Sequence, residues 1–129
     1  MRAIMAPLSF GEAADKITIL AIKSERLRDP AQLENVRKEF ALLNGAFHAA
    51  IARTPAFDAL FAQLKRVNET LWSIEDDIRG YEARGDFGAG FVALARAVYQ
   101  NNDERAKLKR EINALLGSDL REEKSYAQR

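Results

Sequence analysis

The chain has no cysteine, a single histidine and only three prolines in 129 residues. Without cysteine there is no disulfide framework and no thiolate metal site, which fits a reducing cytoplasm. Charge of one sign is also missing. Twenty basic residues against 19 acidic leave a net charge of +1, so no bulk electrostatic force draws the chain to nucleic acid or an anionic membrane. No apolar run approaches the ~20 residues of a membrane span, and residues 1–10 lack the apolar stretch of a signal peptide. Strand-like alternation, internal repeats and low-complexity tracts are absent. No glycine-rich phosphate loop follows a strand, and no nucleophile–base pair can be nominated. The expectation is a cytoplasmic protein with neither a nucleic-acid nor a membrane partner.

What is present is helical periodicity. Ser9-x-x-Glu12 has the spacing of a capping box, opening a helix over about 10–28 whose main stripe is Phe10, Ala13, Ala14, Ile17, Leu20, Ala21 and Leu27. Ile19 and Ile22 point the opposite way, beside Asp15 and Arg26. That second apolar face implies either a central helix or a contact with another subunit, and a homodimer through it is expected. Asp29-Pro30 and Thr54-Pro55 each join a cap residue to a first-turn proline. They open helices over about 30–53, with Leu33, Val36, Phe40, Leu43, Phe47 and Ile51 as its stripe, and about 55–81. The glycines at 80, 85, 88 and 90 mark a loop, and a fourth helix spans about 90–116. Gly117 suits a C-terminal cap, Ser118 a short last helix, and the charged tail 118–129 has Tyr126 as an anchor. The whole, 1–129, reads as one all-α antiparallel four-helix bundle with a short C-terminal helix or tail.

One flank of the third helix changes character. Asn68, Glu75 and Arg79 take the heading of Phe57 and Phe61, so an aromatic flank turns polar halfway along. Arg105 falls inside the stripe of the fourth helix, between Asn102 and Lys109. In a hairpin about Asp86, numbers at one level sum to about 170, which sets Asn68 level with Asn102 and within reach of Arg105. Lys16 and Lys23 share a flank of the first helix. The candidate ligand-binding cluster is therefore Lys16, Lys23, Asn68, Trp72, Glu75, Arg79, Asn102, Arg105 and Lys109.

Cations outnumber carboxylates in this cluster, which suits an anionic metabolite held by Arg105 and the lysines. Glu75 is the candidate acid or base if there is catalysis. The alternative is that these groups pair with one another and only fix the register of the helices, in a structural, dimeric interaction module. Glu75-Asp76-Asp77 invites Mg²⁺, but consecutive helical residues point 100° apart and do not converge. Asp77 reads as solvated, His48 as a boundary residue, and no metal site is assigned.

On Asp15-Lys16-Ile17-Thr18-Ile19-Leu20, Ile22-Lys23-Ser24-Glu25-Arg26, Val67-Asn68…Leu71-Trp72, Ile74 to Arg79, Lys109 to Asn113 and Glu122-Glu123-Lys124-Ser125-Tyr126, the chain resembles a family of small all-helical bacterial proteins. The resemblance covers nearly the whole chain and implies the helical fold. It carries no activity, but implies a link to glycan or cell-surface polysaccharide genes. Leu71-Trp72…Glu75-Asp76…Arg79 is also similar to a second helical family of unassigned activity. Glu12-x-x-Asp15 looks like half of the Mg²⁺ site of helical nucleotide pyrophosphatases, without its upstream acidic partner. The rhythm of Asp15 to Arg26 is similar to the first helix of the all-helical chorismate mutases, whose motif spacing this chain does not share. From these come the enzymatic alternative, pyrophosphatase-like or mutase-like, on a phosphorylated or carboxylated substrate.

Overall fold

A computed structural model describes residues 1–125. Four helices follow in order: α1 (Phe10–Arg26), α2 (Pro30–Ala50), α3 (Pro55–Arg84) and α4 (Ala89–Leu116). They form a four-helix bundle without strands among the described residues. The starts are set by local capping. Ser9, Asp29 and Thr54 each accept a hydrogen bond from the backbone N–H three residues on, at 3.0, 3.0 and 3.2 Å. Only half of the expected capping box forms, because the Glu12 carboxylate turns away to Lys109 at 2.8 Å.

The ends differ more from expectation. α1 stops at Arg26 and α2 at Ala50, while α3 runs straight through Gly80 to Arg84. One glycine within a long amphipathic helix costs only about 1 kcal/mol, too little to end it. The stop is Gly85, whose φ of 65° supplies the left-handed cap. After Gly117 no short helix forms among the described residues. Ser118 instead ties the segment back, its hydroxyl accepting from Phe10 N–H at 3.4 Å and donating to the Leu120 carbonyl at 2.7 Å. The expected anchor Tyr126 lies outside the described residues.

α1 is the central element. It packs against all three other helices, whereas α2 lies along α1 and reaches α3 through side chains such as Phe47, and α3 pairs with α4 as a hairpin. The core joins Ala13, Ala14 and Ile17 of α1 to Phe47, Phe57, Leu64, Leu108 and Ile112. Phe47 and Phe57 stack at 5.6 Å between ring centroids. The other residues of the α2 stripe are only partly covered. On the second face of α1, Ile22, Asp15 and Thr18 are buried within the chain and Ile19 is half-buried, so the central place of the helix accounts for that face being apolar. At Gly11 the helices touch: an added Cβ would collide with the Lys109 carbonyl oxygen, and Gly11 N–H donates to Asn113 Oδ1 at 2.6 Å. That approach fixes where α1 crosses α4.

Candidate functional site

The crossing carries Asp15 into the interior, its side chain 1% exposed. A bare carboxylate there would cost several kcal/mol. It is met on both oxygens. Arg105 Nε donates to Oδ1 at 2.8 Å and Nη2 donates to Oδ2, while Asn68 Nδ2 donates to Oδ1 at 2.9 Å. Asn68 Nδ2 also donates to Thr18 Oγ1 at 2.8 Å, and that hydroxyl donates to the Asp15 carbonyl at 2.7 Å. The fork-on-carboxylate geometry is the strong form of the arginine ion pair. The hydrogen bond to Asp15 holds the Arg105 guanidinium above its ordinary pKa, against the opposing pull of burial. Three helices meet in this node, and both oxygens of its carboxylate are taken up within it.

One turn away, Lys109 is buried between two carboxylates, Glu12 at 2.8 Å and Glu122 at 2.7 Å. Burial acts to lower the pKa of its ammonium, but the hydrogen bonds it donates to Glu12 and Glu122 together raise it. Glu122 is held below the usual carboxylate range by its hydrogen bond to Lys109. The tail is thereby clamped rather than frayed up to this point.

Beside the node lies an open cleft of about 410 Å³ between α1, α3 and α4. Ile19, Ile22 and Leu71 give it apolar walls, and Trp72 stands at its edge with the Arg26 guanidinium 5.8 Å over the ring. Its charged groups are Lys23, Arg79 and Arg105 against Glu75 and Asp76. Of these only Arg105 is in an ion pair among the described residues.

Seven of the nine candidates from the sequence line this cleft: Lys23, Asn68, Trp72, Glu75, Arg79, Asn102 and Arg105. Lys109 lines a smaller polar hollow next to it, of about 200 Å³, which shares Asn102 and Arg105. Lys16 is exposed and lines neither. From α1 it is Asp15, with Thr18, that bonds Asn68, while Lys23 shares the cleft with it. Glu75, expected to pair with Lys23 or an arginine, is exposed on the rim without an ion pair among the described residues. The excess of cations also disappears, since Asp15 neutralises Arg105 and two glutamates share Lys109. The Glu12–Asp15 pair read as a metal motif is spoken for by those same cations, and no metal-binding group of three or more His, Cys, Asp or Glu occurs among the described residues. Of the two mid-helix asparagines, Asn101 bonds back to the Ala97 carbonyl at 2.8 Å and Asn102 accepts weakly from Arg105 at 3.5 Å.

The residues missed were Asp15, Thr18, Gly11 and Asn113. Asp15, Thr18 and Ile22 lie at i, i+3 and i+7, so the second face of α1 already carried the signal that these polar groups share the heading of a buried isoleucine. Asn113, its Nδ2 buried without a partner among the described residues, gave no such sign.

Fold and site together define an all-α bundle with a closed ion-pair node and an open lateral cleft. Residues 5–129 match the model of a family described as a family of unknown function, DUF6165, and the chain belongs to that family. Among curated proteins and solved structures, nothing matches it.

Proposed function

We propose that the protein is a cytoplasmic binding or accessory protein that takes a small anionic molecule in the cleft between α1, α3 and α4. One observation carries this reading: Lys23 and Arg79 line the same cleft as the half-buried Trp72 ring and have no carboxylate partner among the described residues. Unpaired cations beside an aromatic face and apolar walls suit a ligand with a phosphate or carboxylate at one end and a flat or apolar body at the other. Arg105 contributes orientation more than charge, because Asp15 holds it. Phosphorylated or carboxylated sugars are the class to try first, in keeping with the resemblance to a family linked to glycan and cell-surface polysaccharide genes. A cleft formed on three helices also accommodates a glycan-assembly partner's anionic segment, which competition by the free sugar phosphate would reveal.

Trp72 is the only tryptophan, so its fluorescence reads the cleft directly. Titration with phosphosugars, sugar nucleotides and dicarboxylates is expected to shift that emission and raise the melting temperature, by about 2.7 kcal/mol of stabilisation at a hundredfold excess over Kd. Lys23→Ala and Arg79→Ala should each remove the response with the fold intact. A full panel without any shift would overturn the reading.

The unpaired Glu75 carboxylate on the rim favours a second reading, a small enzyme in which it serves as acid or base. Turnover lost in Glu75→Gln, with binding retained, would decide for that alternative.

A further inference from the structure

The α3–α4 hairpin is only half covered. α1 ends at Arg26, beside Trp72, and α2 lies along α1, meeting α3 at its first turns through Phe47 and Phe57. From 75 to 102 not one residue is buried, and the apolar Ile78, Phe91 and Val98 are only partly covered. On α4, Asn113, Ala106, Tyr99 and Val92 follow one another at seven-residue spacing, so they share a heading to within about 20° per step. The first two are buried, and Asn113 accepts a hydrogen bond from α1 at Gly11. The next two continue the same line past the end of α1 and stand 54% and 49% exposed. On α3, Asn68 and Trp72 face α1, and Glu75 and Arg79 carry that flank onward with no ion pair among the described residues. The surface that α1 occupies lower down therefore runs on, apolar in the middle and charged at its edge, with nothing over it.

We propose that a second copy of this chain covers it, the two α3–α4 hairpins packing antiparallel about a twofold axis to complete a four-helix contact. The charges favour a copy over a foreign partner. Glu75 and Arg79 lie one turn apart on one flank, and antiparallel pairing sets Glu75 of one copy against Arg79 of the other, twice by symmetry. The same axis puts each copy's Tyr99 and Val92 onto the other's hairpin. Ten residues of α3 and fourteen of α4 give a footprint of roughly 20 by 20 Å, about 400 Å² per copy. That is about half the usual share of a stable interface, so the dimer is concentration-dependent. Glu75 and Arg79 are on the rim of the cleft, so in the dimer Arg79 is taken up by Glu75 of the other copy and Lys23 is the cation left facing the roofed cleft, whereas the monomer keeps both. The dimer stands on the hairpin surface alone, whether or not the cleft holds a ligand.

Sedimentation equilibrium of the full chain from about 5 to 500 µM spans that weak regime. The expected result is a monomer–dimer equilibrium with Trp72 emission moving to longer wavelength on dilution. Tyr99→Asp and Val92→Glu replace exposed side chains, so far-UV circular dichroism should stay unchanged while the dimer is lost. Glu75→Arg and Arg79→Glu should each weaken association roughly tenfold, and the double swap should restore it. A strict monomer at every concentration overturns the proposal. So does a dimer indifferent to Tyr99→Asp, one lost instead on Leu42→Glu in α2, or a double swap that fails to restore it. The association is read without ligand and the ligand titration is read by Lys23→Ala, which is off the hairpin, so either idea can fail alone.

Discussion

Two polar regions a few ångströms apart use the same residue types to opposite ends. In the Asp15 node a carboxylate, a guanidinium, an amide and a hydroxyl bond one another, and the carboxylate is closed to water. In the cleft, Lys23, Glu75 and Arg79 face solvent around Trp72 with no ion pair among the described residues. What separates a structural polar cluster from a ligand-ready one here is whether charges are consumed, and that depends on who reaches whom across helices. Arg105 belongs to both, with its fork on Asp15 and its outer edge on the cleft.

The contrast breaks most readily at the node. Asp15→Ala should cost about 3–5 kcal/mol by leaving a partly buried guanidinium unpaired. Urea unfolding is expected to show this as a lower midpoint at unchanged slope. The apolar double replacement Asp15→Leu with Arg105→Met should cost less than either single change, since a buried pair replaced by packing is often neutral. Equal losses from single and double variants would mean that the node does not act as a unit.

Gly11→Ala comes next. The new Cβ meets the Lys109 carbonyl, a backbone atom that cannot step aside, and overpacking of this kind costs about 1–3 kcal/mol. A melting curve unchanged from that of the parent chain would deny that this contact sets the crossing.

Across the cleft the same measurements should barely move. Lys23→Ala, Glu75→Ala and Arg79→Ala lie outside any ion pair among the described residues, so each is expected within about 0.5 kcal/mol of the parent. A loss as large as that of Asp15→Ala would erase the distinction between the two regions.

The smallest effect concerns the tail clamp. Glu122 is depressed in the folded chain by its hydrogen bond to Lys109. The stability it adds is therefore present above the unfolded carboxylate value and drains away as pH falls through the lower folded value. Lys109 is raised, so its part persists below the ordinary lysine value and fades only as pH climbs through the folded one. Amide protection over residues 118–122, the observed exchange set against the intrinsic rate at each pH, should fall in acid, and Glu122→Gln should show the lower protection already at neutral pH. Protection identical in both chains would mean that the clamp is inert.

Much of the architecture could be read ahead of the coordinates. Ser9, Asp29 and Thr54 announced their helices because a cap needs only a side chain and an amide three residues away. The hairpin level rule brought Asn102, Arg105 and Asn68 to one depth because α3 and α4 lie side by side for their whole length. Carried over to α1, the same counting sets Lys23 near the level of Asn68 and Trp72, and all three line the cleft, whereas Lys16 does not. Gly11 lets α1 approach α4 closely, and it is Asp15 of α1 that bonds Asn68 while Lys16 stays exposed.

The linear order of residues by itself determined four amphipathic helices, their starting points and a polar break in the apolar stripes of α3 and α4, because each is settled within one or two turns of chain. Only the packed structure decided that Arg105 is spent on Asp15 while Lys23 and Arg79 remain unspent. Charge pairing is a contest between side chains tens of residues apart, and the winner follows from the crossing of α1, which no local pattern encodes.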